Sequence, residues 1–127
     1  MRRTLITALA VLAVSLGVMT AALCALNAAV DHMTALSGEV VLAEAEHRAD
    51  LAAERMVALA EYWRSRAPIL EMIADHDALH EVQTGIADAR ICLDCGDHDD
   101  FLRCMAEVDA ALAHLHDEEA LRLSNLY

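Results

Sequence analysis

The chain has 127 residues, enough for one domain, and a formal net charge of -12 from 21 acidic against nine basic side chains. All of the acidic residues lie at or after Asp31, where seven arginines oppose them for a net of -14, whereas Arg2 and Arg3 carry +2 ahead of it. A domain so acidic repels phosphate backbones and anionic headgroups, which excludes nucleic acid as a natural partner, and its abundant alanine with few aromatics argues for helices over sheet.

The first element is an apolar run. Residues 4–30 contain no charge, and the apolar centre from Leu5 to Leu26 would span about 33 Å as a helix, enough for a hydrocarbon core. Arg2 and Arg3 precede it and Asp31 follows it, so the positive-inside bias puts the N-terminus in the cytoplasm and the rest of the chain outside. The rival reading is a cleaved signal peptide, but the run is longer than a signal core and its one strict A-x-A triplet, Ala8-Leu9-Ala10, lies inside it. Cys24 follows Leu23, which does not suit a lipidation signal. Residues 1–30 are therefore read as cytoplasmic tip and anchor, and 31–127 as one extracytoplasmic acidic domain.

Beyond the run, apolar residues recur at helical spacing. Met33, Leu36, Val40, Ala43 and His47 step by 3 and 4, so the membrane helix is expected to continue into the domain. A second stripe of Ala52, Met56, Leu59 and Trp63 is out of phase with the first, which predicts a break near residues 47–50 with Asp50 as the cap. Pro68 lacks a backbone donor and is expected to open the next helix, with Met72, His76, Leu79, Val82, Ile86, Ala89 and Leu93 on one face. Gly96 suits the end of that helix and Asp97 the start of its successor, whose stripe is Phe101, Met105, Val108, Leu112 and Leu115. So short a connection makes these two helices antiparallel neighbours, and residues 117–127 are expected to add a short turn of helix. The fold class is thus all-α: one transmembrane helix continuing into a small antiparallel helical array or bundle.

The order of a single span, an acidic helix ending in Glu61, Tyr62 and Trp63, the segment ILEMIADHD at 69–77, a helical hairpin and the closing LRLSNL at 121–126 resembles a bacterial family catalogued as domain of unknown function 4363. The resemblance covers nearly the whole chain and implies a small membrane-anchored helical protein. Trp63, His76 and Asn125 fall on the family's recognisable positions and are read as structural; no activity comes with them. The cysteines and His80 depart from the pattern.

Cys92, Cys95, His98 and Cys104 form the densest group of chemically competent side chains. A zinc site would need all four, yet His98 and Cys104 point to different sides of one helix. A redox motif of the thioredoxin kind needs a helix N-terminus, and Cys92 and Cys95 sit at a C-terminal end among Asp94 and Asp97. Three readings remain: unpaired structural thiols, which lead, a disulfide between Cys92 and Cys104 across the turn, and a metal site. His76 and His80 have the spacing of a zinc-protease helix, but with Asp77 where the base would be and no third ligand. The expectation for His76 is a buried or half-buried, hydrogen-bonded histidine on the apolar stripe. The acidic clusters at 97–100 and 117–119 lack the ligand order of a calcium loop, and His114 and His116 face different ways. No catalytic constellation or cofactor motif stands out. The expected function is a non-catalytic, membrane-tethered interaction or scaffold module whose partners are lipid, through the anchor, and another protein or a second copy. The alternative is an extracytoplasmic ligand or metal sensor built on His76 and His80 or on Cys92, Cys95 and Cys104.

Overall fold

A computed structural model describes the backbone of residues 1–126 and the side chains of residues 1–118 and Ala120. It contains four helices: α1 (Arg2–Ala45), α2 (Ala49–Ile73), α3 (His76–Cys95) and α4 (His98–Leu126). The all-α expectation holds, and there is no strand among the described residues. α1 packs on α2 and α4, and α3 packs on α2 and α4. The helices therefore form a ring of sequential neighbours, the arrangement of an up-down-up-down bundle.

The packing follows the 3-and-4 spacing. α1 buries Leu26, Ala29, Val30, Met33, Ser37, Val40 and Ala43, and α2 buries Ala52, Met56, Leu59, Trp63 and Leu70. α3 contributes Leu79, Val82, Ile86 and Ala89, and α4 contributes Phe101, Met105, Val108, Leu112 and Leu115. Steps that average 3.5 residues keep each apolar seam toward its neighbours along nearly parallel axes. The one buried polar side chain among the described residues, Ser37, donates its hydroxyl to Asp109 Oδ1 at 2.7 Å, tying α1 to α4. This bond satisfies a group whose burial would otherwise be costly.

Two of the turns are copies of one motif. After α3, Gly96 adopts φ 74°, with its N–H on the Leu93 carbonyl and the Asp97 N–H on the Cys92 carbonyl. After α1, His47 adopts φ 58°, with its N–H on the Glu44 carbonyl and the Arg48 N–H on the Ala43 carbonyl. Both are Schellman closures, which consume carbonyls that the helix end leaves free. Asp97 then caps α4, its carboxylate accepting from the Asp100 N–H at 3.2 Å.

Several expectations about helix ends are corrected. Asp50 does not cap α2; Arg48 holds the cap position and Asp50 lies in the first turn, where its charge still favours the helix. Pro68 does not open α3 but lies inside α2, exposed, and the helix runs on to Ile73. Half-buried Ala67 and buried Leu70 continue the Ala52–Trp63 stripe past the proline, and their packing outweighs the lost backbone bond, whose acceptor sits on a wet face. The chain turns instead at Ala74, which is extended at φ -113° and ψ 164°. Met72 accordingly belongs to α2, where it is 85% exposed. The tail is not a separate short turn, since α4 runs unbroken to Leu126.

Candidate functional site

Cys92 lies near the end of α3 and Cys104 in the second turn of α4, on either side of the Gly96 turn. Their sulfurs are 3.8 Å apart, the one place where the described residues bring two cysteines into contact. Cys104 is buried, Cys92 is half-buried, and Cys95 and Cys24 are exposed. Burial, and then the hydrogen bond with Cys92, pushes the Cys104 thiol up to about 11. Such a thiol stays protonated at neutral pH. His98 turns away from this pair: its Nδ1 is 3.3 Å from Glu44 Oε1 of α1, which joins the start of α4 to the top of α1.

His76 is the first residue of α3 and is exposed, so the expected buried, hydrogen-bonded histidine on the apolar stripe is not found. The stripe begins at Ala78 and Leu79 because the helix starts only at His76, leaving the histidine in its exposed first turn. His80 is exposed as well. The two line one groove between α2 and α3 together with Trp63, Glu71 and Asp77. Trp63 itself is 7% exposed and belongs to the core. Asn125 falls within the α4 backbone, and its side chain lies outside the described residues. A second groove between α3 and α4 carries His80, Glu81, Asp88, Glu107 and His114. Among the described residues no three His, Cys, Asp or Glu side chains are grouped closely enough to hold a metal ion.

The lower part of α1 is the other chemically distinctive surface. Every residue from 1 to 21 is exposed, although the segment is almost wholly apolar. α1 is the one described helix long and apolar enough to cross a membrane. Packing begins with half-buried Ala22 and Leu23 and becomes complete at Leu26. About six residues higher on α1, the Tyr62 ring of α2 lies 4.3 Å from that of His32, centroid to centroid, and the Arg66 guanidinium lies over the same Tyr62 at 5.4 Å. Sequence reading missed these contacts and the Ser37–Asp109 bond. Ser37 was detectable, because it falls on the α1 stripe between Met33 and Val40.

No family model, curated protein or solved structure matches the chain.

Proposed function

We propose that the protein is a non-catalytic, membrane-tethered interaction or scaffold module, with its N-terminus in the cytoplasm and its acidic bundle on the other side of the membrane. The observation that carries this reading is the continuity of α1, one helix from an apolar, fully exposed segment into the middle of a packed core. The exposed segment 2–21 is about 30 Å long at 1.5 Å per residue, the thickness of a hydrocarbon core. Arg2 and Arg3 at its start set the orientation through the positive-inside bias. A partner would bind the outer faces of the bundle. These faces are acidic and carry scattered apolar side chains such as Leu42, Val57 and Ile91, which are 59%, 42% and 61% exposed.

Crosslinking in intact membranes followed by affinity capture of the full chain tests the reading. A specific protein partner or a homo-oligomer is the expected product, and recovery of the uncrosslinked monomer alone would overturn it. The sensor reading draws on the shared groove of His76 and His80. Elemental analysis and melting of the purified chain with and without added zinc separate it from the first reading, since a pure interaction module binds no zinc and melts unchanged.

A further inference from the structure

We propose that Cys92 and Cys104 are a disulfide-forming site that closes the α3–α4 hairpin by thiol exchange with a small-molecule or protein disulfide. The sulfurs already touch at 3.8 Å. Both ends of the contact are fixed by other interactions. The Asp97 N–H holds the Cys92 carbonyl at 3.1 Å through the Gly96 turn, and Asp97 caps the helix that bears Cys104. Cys104 is packed into the core between Phe101 and Val108 on its own helix, each fully buried. A bond of about 2.05 Å then needs side-chain rotation and a small approach of two helices that are already neighbours.

The inequality of the two thiols sets the order of events. Half-buried Cys92 meets the external disulfide first: its thiolate attacks one sulfur, a mixed disulfide forms on Cys92, and the displaced thiolate takes up a proton. Cys104 then loses its proton to solvent and attacks the Cys92 sulfur, releasing the second half of the external disulfide as a thiol. Two protein thiols are oxidised and one external disulfide is reduced to two thiols. The raised Cys104 thiol makes the second step the slow one. Exposed Cys95 and Cys24 lie outside the bridge and have no resolving thiol in contact, so exchange there stops at the mixed disulfide.

The test uses the full chain in detergent, incubated with oxidised glutathione, alkylated and digested with trypsin. Cleavage after Arg90, Arg103 and Arg122 puts Cys92 and Cys95 in one peptide, 91–103, and Cys104 in another, 104–122. The expected product is these two peptides joined through Cys92 and Cys104, two hydrogens lighter than their sum apart from whatever Cys95 carries, which is either the alkyl group or glutathione, with neither on Cys92. Raising the pH from 7 toward 9 is expected to speed closure by one to two orders of magnitude, about tenfold per pH unit while the attacking thiol is mostly protonated. In Cys104→Ala, glutathione is expected to stay on Cys92; circular dichroism establishes that the variant is folded, and the wild-type map stands without it. Alkylation of all four cysteines after the incubation, or a bridge through Cys95, would overturn the proposal.

Discussion

Gly85 of α3 faces Val108 of α4 so closely that a Cβ added to the glycine would lie 2.8 Å from Val108 Cγ2. Both residues are buried, at the interface on which α3 makes most of its contacts. An alanine at 85 gains up to about 1 kcal/mol of helix propensity but forces the stiff valine or the helices to move, at a cost of about 1–3 kcal/mol. Gly85→Ala is therefore expected to lower stability by roughly 1 kcal/mol in urea denaturation. In a Val108→Ala background the same change is expected to be neutral or stabilising, because the opposing methyl groups are gone. Equal losses in both backgrounds would refute the close contact.

The two Schellman turns differ in a way that shows what sequence reading can and cannot reach. Gly96 announces its turn, since glycine adopts positive φ without strain, and the α3–α4 hairpin with its capping Asp97 was legible for that reason. His47 holds the same conformation with a side chain, so the break was located only by the phase slip between two apolar stripes, and its cap was misassigned to Asp50. At Pro68 local backbone chemistry argued for a boundary, and the burial of Ala67 and Leu70 overrode it. The contribution of Leu26, Ala29 and Val30 to the core was invisible for another reason. Within an apolar run, a side chain that faces lipid and one that faces a neighbouring helix have the same composition. Of the candidate residues, the Cys92–Cys104 proximity followed from turn length alone, whereas the exposure of His76 depended on the misplaced start of α3.

The strained histidine gives a direct prediction. A side-chain-bearing residue in the left-handed region costs about 1–2 kcal/mol relative to glycine, and part of that is returned by the greater backbone freedom of glycine in the unfolded chain. His47→Gly is expected to raise stability by roughly 0.5–1 kcal/mol, and Gly96→Ala to lower it by about 1 kcal/mol. Thermal or chemical denaturation of the two variants checks both signs at once. A loss of stability in His47→Gly would mean that the imidazole makes a compensating contact.

Under reducing conditions the Cys104 thiol also predicts a dependence of stability on pH. Burial, with the Cys92 hydrogen bond, raises it from the ordinary 9.0 to about 11, so the folded protein holds this proton more tightly than the unfolded chain does. Below pH 9 both states keep the proton and the stabilising contribution is complete. Between pH 9 and 11 the unfolded thiol ionises while the folded one does not, and stability falls; above 11 both are ionised and the fall stops. The melting temperature of the wild type is expected to drop more steeply across this window than that of Cys104→Ala. Parallel curves for the two proteins would place Cys104 in a wetter setting than its burial implies.

If α1 crosses a membrane as proposed, helix register gives the level at which the bundle would meet the lipid. His32 lies beside Tyr62, and Ala25 shares a groove with Ile69 and Leu70, so α2 descends alongside α1 at one residue per residue. The end of α2 at Ile73 therefore comes level with residues 21–22, where the exposed segment of α1 stops. If residues 2–21 fill the hydrocarbon, the α2–α3 corner rests in the headgroup zone, and the exposed side chains of Ile69 and Met72, at 47% and 85%, meet it. Arg66 stands about two turns above the corner and Tyr62 about three, on the outer side of this level. An environment-sensitive dye on single cysteines replacing Leu12, Met72 and Ala53, in otherwise cysteine-free protein in liposomes, reads the depth directly. Emission is expected to be bluest at 12, intermediate at 72 and that of water at 53. Equal, water-like emission at 72 and 53 would lift the bundle off the surface, and water-like emission at 12 would remove the membrane span itself.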